Sequence, residues 1–178
     1  VAMGIRLADP DRDGAACAAI YAPSVAAGFT SFEEVPPGPE EMAARIRRAN
    51  ATHCWLVEEA RGRVTGYAYG SPHRARAAYR WAVEVAVYVG AAHHRQGVGR
   101  RLYEALLPRL RAQGYRMAYA GITLPNPASG GLHEATGFTP VGVFRNAGFK
   151  SGDWRDVSWW QLDLRPDDVG APREPTPG

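Results

Sequence analysis

The 178-residue sequence contains no run of roughly 18 apolar residues, the length a membrane span requires, so no membrane partner is expected. Its opening residues, Val1-Ala2-Met3-Gly4-Ile5-Arg6, lack the long apolar region of a secretory leader. Cysteine is scarce. Cys17 and Cys54 show neither metal nor redox spacing, which predicts buried thiols in a reducing cytoplasm and no bound metal. Charge of one sign is not in large excess either: the net charge of +3 is too mild to argue for nucleic acid. Arginine gathers in residues 73–80 and 93–101, a pattern that suits a small anionic ligand, a polymer or a plain solvated surface. No internal repeat is present. Residues 166–178 are too poor in apolar side chains to order themselves. They read as a loose Pro-rich tail behind one domain spanning residues 1–165.

What is present is mostly periodic. Ile5–Ala8 reads as a first strand, and Asp9-Pro10 caps a helix running to about Val25. The Pro36-Pro37-Gly38-Pro39 break precedes a second helix over 40–49. Residues 54–59 and 64–70 form a hairpin around Arg61-Gly62-Arg63, and 73–79 is a polar link. Trp81–Val89 is a strand with Val83, Val85, Val87 and Val89 on one face and Glu84, Ala86 and Tyr88 on the other. From Gly97 a helix places Val98, Leu102, Leu106 and Leu110 on one stripe, with Pro108 expected to kink or shorten it and Gly114 to stop it. A strand over 115–122, a helix opened by Asn126-Pro127 and ended by Gly137, and strands over 138–144 and 157–164 complete the chain. This order predicts a mixed, mostly antiparallel α/β sheet of about seven strands with helices on both faces.

Two features carry chemistry. The turn between the valine-rich strand and its helix holds His94-Arg95-Gln96-Gly97-Val98-Gly99-Arg100-Arg101. Backbone N–H groups at a helix start beside glycines make a nest for phosphate, although an ordinary tight turn reads the same way. The Gly-Lys-Ser/Thr ending of a Walker loop is absent. The second feature is Glu84, the only charged side chain between Arg80 and His93. A carboxylate in an apolar strand is costly unless paired or solvated. It is either a structural ion pair with Arg76 or Arg80, or a base whose pKa rises in a dry cleft.

His94-Arg95-Gln96-Gly97-Val98-Gly99 resembles the pyrophosphate loop of the GNAT N-acetyltransferase superfamily, Gln/Arg-x-x-Gly-x-Gly/Ala, with His94 standing where that pattern has glutamine or arginine. Trp55-Leu56-Val57, Ala75-Arg76, Ala78-Tyr79, Trp81, Glu84, Val87-Tyr88-Val89, Leu124-Pro125-Asn126, His133-Glu134-Ala135, Gly148-Phe149-Lys150, Trp154, Asp156-Val157 and Trp160-Gln161-Leu162-Asp163 resemble the phosphinothricin N-acetyltransferase family. The likeness spans roughly residues 4 to 165.

It implies acetyl-CoA as cosubstrate, a small-molecule amine as acceptor and a homodimer. The backbone of Val87, Tyr88 and Val89 would pair with the pantetheine arm, and loop residues His94, Arg95, Gln96, Gly97, Val98, Gly99 and Arg100 would hold the pyrophosphate. Asn126, with Ser129 one turn on, would meet the cofactor as well as cap the helix. Glu84 would be the general base. His133 would donate a proton to the leaving thiolate, with Ser129 the weaker candidate; a structural histidine fits as well. Arg74, Arg76 and Tyr79 match the family's acceptor pocket, with Phe32 as a wall, although a solvated turn also explains the arginines. The acceptor implied is a small acidic amino acid or analogue of the phosphinothricin, methionine sulfoximine or methionine sulfone type. A protein N-terminus, a polyamine, an aminoglycoside, or a module that only senses acetyl-CoA stand as rivals.

Overall fold

The computed structural model describes residues 4–177. Seven strands form one sheet in the order β1-β2-β3-β4-β5-β7-β6. They are β1 (Gly4–Leu7), β2 (Trp55–Ala60), β3 (Arg63–Pro72), β4 (Ala82–Val89), β5 (Met117–Thr123), β6 (Thr139–Lys150) and β7 (Asp153–Asp163). Four α-helices interleave: α1 (Pro10–Ala26), α2 (Pro39–Thr52), α3 (Val98–Gln113) and α4 (Pro127–Ala135). Every strand pairing is antiparallel except β4 with β5.

Local chemistry sets the ends. Asp9 caps α1 by accepting from the amides of Asp11 and Arg12, and Asn126 caps α4 by accepting from the Ser129 amide at 3.1 Å. Gly114 closes α3 in the left-handed region at φ 105°. The sheet divides two apolar layers. On one face Leu102, Leu106 and Leu110 of α3 pack on Val83, Val85 and Ala118, each leucine fully buried and contributing roughly 1.5–3 kcal/mol. On the other, Cys17, Tyr21 and Val25 of α1 and Met42 and Ile46 of α2 cover Trp55, Val57 and Tyr67. Both cysteines are buried, and burial pushes their thiols up, Cys17 to about 12 and Cys54 to about 11, so both stay protonated at neutral pH.

Three local expectations are corrected. Pro108 does not shorten α3, which runs on to Gln113: Pro108 and Glu104 lie on the exposed side, where water can serve the carbonyl that loses its helical partner. The β6–β7 hairpin is longer than expected and turns at Ser151-Gly152, with φ 55° and 76°, two positive values that suit a tight hairpin turn. The tail past Arg165, described as far as Pro177, carries no helix or strand there but makes contacts with the rest of the chain. The Trp81 indole N–H donates to Arg173 O at 2.7 Å, Arg80 pairs with Glu174 at 2.7 Å, and the Thr176 amide donates to Gln113 O at 2.8 Å. No helix among the described residues is long and apolar enough to cross a membrane.

Candidate active site

β4 and β5 run together only from Ala82 to Glu84, opposite Met117 to Tyr119. Beyond that point each strand follows its other neighbour: β4 stays with β3 as far as Val89, and β5 stays with β7 as far as Thr123. The sheet therefore splits, and residues 85–89 face the gap without a β5 partner. A slot of about 90 Å³ opens there between Val85–Tyr88 and Ala120–Thr123, closed at its end by Asn126, Ser129, His133 and Tyr103. A wider cavity of about 400 Å³ adjoins it, sharing Val85, Ala86, Tyr88, Gly121 and Thr123.

Glu84 sits where the split begins and is the only charged side chain lining the wider cavity among the described residues. Its side chain is 31% exposed, and its partner is neither Arg76 nor Arg80. His73 Nδ1 donates to Glu84 Oε1 at 2.8 Å. The His73 ring is fixed in turn by stacking on Tyr119 at 4.5 Å and by edge contacts with Tyr79 and Trp159. Phe32 forms a wall of the cavity, held over Gly148, where any Cβ would come within 2.5 Å of the ring. Lys150, the only lysine in the sequence, locks the same loop by donating to Val25 O and Ser31 O at 2.9 Å, and to Glu33 O. Arg74, Arg76 and Tyr79 do not line the cavity. They are exposed on the link between β3 and β4, which includes a short 3-10 turn at Ala77–Tyr79. The expected basic pocket is thus aromatic and hydroxylic, with one carboxylate.

His133 is 3% exposed. Its Nδ1 donates to Ser129 O at 2.8 Å, so its bare Nε2 accepts from the Tyr103 hydroxyl at 3.0 Å. Burial lowers the pKa of His133 and raises that of Tyr103, so the imidazole is neutral and the shared proton is the tyrosine's. Ser129 Oγ lies 3.4 Å from His133 Nδ1.

The turn after β4 matches an anion site in its backbone. Arg95 and Gly97 adopt φ 59° and 76°, and α3 starts at Gly97 with no side-chain cap, which leaves its first amides open. Gly99 serves close packing, since a Cβ there would sit 3.0 Å from Leu132 and 3.8 Å from Val87 and Val89. The side chains of His94, Gln96 and Arg100 are exposed and bond locally. His94 Nε2 donates to Val89 O at 2.9 Å, Gln96 Nε2 to Ala92 O at 2.9 Å, and Arg100 pairs with Glu104 at 2.8 Å. His73, Tyr103 and the buried Glu58–Arg101 pair were not singled out as site residues from sequence.

A split sheet leading from an uncapped helix start to a carboxylate can hold an extended, anion-tailed molecule beside an amine. Known proteins share the fold. Residues 5–159 match the family model of the acetyltransferase (GNAT) domain. The phosphinothricin N-acetyltransferase of Streptomyces viridochromogenes is 43% identical over 82% of this chain and 78% of its own. A phosphinothricin acetyltransferase from Sinorhizobium meliloti, solved in complex with acetyl-CoA, superposes with TM-score 0.87 at 35% identity over 98% of this chain and 95% of its own. An acetyltransferase from Salmonella typhimurium, solved with its cofactor acetyl-CoA, gives 0.89 at 35% identity over 97% and 99%. The chain belongs to the GNAT acetyltransferases, in their phosphinothricin N-acetyltransferase family, and is an N-acetyltransferase.

Proposed function

We propose that the protein moves the acetyl group of acetyl-CoA to the amino group of a small acidic amino acid or analogue, of the phosphinothricin, methionine sulfoximine or methionine sulfone type, with Glu84 as general base. The observation that carries this reading is a single carboxylate, at the split between β4 and β5, in a cavity of about 400 Å³. When bound, acetyl-CoA supplies the thioester carbonyl that the amine attacks and the thiolate that leaves. The uncapped start of α3 holds the pyrophosphate, and the backbone of residues 85–89 binds the pantetheine arm. Glu84 Oε1 is held by His73, which leaves Oε2 to take the proton that an ammonium must lose before it can attack. A backbone N–H of β4 in the gap steadies the oxygen that gains charge. His133 takes part through the Tyr103 hydroxyl that it orients. Arg74 and Arg76, on the same link as His73, offer the acceptor's acid group a cation from outside the cavity. One carboxylate suits a lone ammonium and is a poor match for a polyamine or an aminoglycoside.

A thiol-release assay over amines with and without a second acid group tests this. Turnover should concentrate on the acidic amino acids, and Glu84→Gln should lose about a hundredfold or more in kcat with the protein still folded. Equal use of all amines would overturn the acceptor class, and full activity of Glu84→Gln would remove the base. The resemblance to dimeric acetyltransferases also leads us to propose that two copies associate. Phe149 and Trp154 stack edge to face at 5.5 Å on the β6–β7 hairpin while 60% and 58% exposed, which makes this the surface available for it. Light scattering should return twice the chain mass; a monomer at micromolar concentration would sink the dimer.

A further inference from the structure

We propose that Arg101, which lies in the arginine cluster of the anion turn, is not a ligand of the pyrophosphate but a strut, tied to the buried carboxylate of Glu58 and holding the Gln96 carbonyl so that the turn keeps its bend.

Glu58 lies on β2 and is 1% exposed. Both of its oxygens are taken. Arg101 Nε donates to Oε2 at 2.8 Å and Nη2 to Oε1 at 2.9 Å, a two-pronged contact, and Thr65 Oγ1 donates to Oε1 at 3.0 Å. The remaining arm of the guanidinium, Nη1, donates to Gln96 O at 2.8 Å. Gln96 directly precedes Gly97, whose left-handed φ of 76° aims the first amides of α3. A Cβ at Gly97 would lie 3.0 Å from Arg101 Nη1, so a side chain there would press on the strut as well as strain the bend. The other end of the turn meets the same node. The β2–β3 pairing slips between Glu58 and Glu59, leaving Thr65 as the extra residue of a bulge, and Thr65 O accepts from the Gly90 amide at 2.9 Å. The node thus grips both the exit of β4 at Gly90 and the entry to α3 at Gln96. A guanidinium whose charge is already matched by a buried carboxylate, and which has three of its five N–H groups engaged, is held toward Glu58 and Gln96 rather than toward a phosphate.

The two possible roles of Arg101 predict opposite signs for Glu58→Gln, which keeps the shape and removes the charge. A strut that loses its anchor lets the turn relax, and pyrophosphate binds less well. A latent ligand freed from Glu58 would bind pyrophosphate better. Calorimetric titration of wild-type protein, Glu58→Gln and Thr65→Val with CoA, and with pantetheine, which lacks the pyrophosphate, separates the two. The Kd for CoA should rise about tenfold in Glu58→Gln, and by less in Thr65→Val, against a steady Kd for pantetheine. The ratio of kcat/KM for acetyl-CoA to that for S-acetylpantetheine should fall in step. Thr65→Val, which only trades a hydroxyl for a methyl, carries the comparison if Glu58→Gln fails to fold. Equal or tighter CoA binding in the variants, or equal loss for both ligands, overturns the strut. The inference rests on the turn being the pyrophosphate site: wild-type protein that binds CoA no better than pantetheine would sink that reading, whereas a wild-type preference that the variants retain sinks only the strut.

Discussion

Glu84 is the last residue of β4 to pair with β5, and its carboxylate has a partner eleven positions upstream in His73. The contact fixes one oxygen and orients the other, which is how a positioning residue serves a proton transfer. The imidazole is steadied by Tyr119 and Trp159, so a ring of similar shape should keep the packing and lose only the donated hydrogen bond. His73→Phe is therefore expected to lower kcat about tenfold, the cost of one hydrogen bond to a charged group, while the KM for acetyl-CoA holds. His73→Gln, which keeps a side-chain N–H, should recover part of the loss. Steady-state kinetics with both substrates varied decides; wild-type kcat in His73→Phe would mean that the contact is only structural. The sequence pointed at Arg76 or Arg80 because charge is the visible cue for a carboxylate partner. Arg80 instead stacks over Trp81 at 3.7 Å and pairs with Glu174, and no local rule foretells that a histidine across a loop wins.

Elements whose cause is local could be read in advance. The valines of β4, the leucine stripe of α3 and the caps Asp9, Asn126 and Gly114 each depend on residues within a few positions, and each stands where periodicity and cap chemistry put it. What depends on distant partners could not. The split between β4 and β5 exists because β3 and β7 retain their strands, and no residue near 85 or 120 announces it. The half of β6 past Phe144 resumes its pairing with β7 only at Gly148, after a bulge, and so shows no unbroken alternation to reveal a strand. The tail looked loose by composition, yet its backbone meets Trp81 and Gln113. Glu58 reads as an ordinary strand residue until Arg101, forty-three positions away, is folded against it.

At the scale of the whole molecule, buried imidazoles make the fold sensitive to acid. His53 joins the end of α2 to β2, is 5% exposed, stacks on Tyr115 at 4.9 Å and has Nδ1 2.7 Å from Thr52 Oγ1. Desolvation by burial holds its pKa down at about 4, against an ordinary 6.5. An imidazole depressed by folding takes up its proton more readily in the unfolded chain. Between pH 6.5 and 4 the unfolded state therefore binds more protons than the native one, and stability is lost as pH falls through that window. Complete, the effect is about 3 kcal/mol for this one residue, a large share of a typical domain's stability. His133, lowered by the same cause, acts in the same direction. Urea unfolding at pH 7 and pH 4 should show wild-type protein losing more stability on acidification than His53→Phe, whose ring can stack on Tyr115 but cannot titrate. If the two proteins lose the same amount, the His53 imidazole already carries its proton in the native state, and the acid sensitivity must be sought in the carboxylates paired with arginine, such as Glu33 with Arg45.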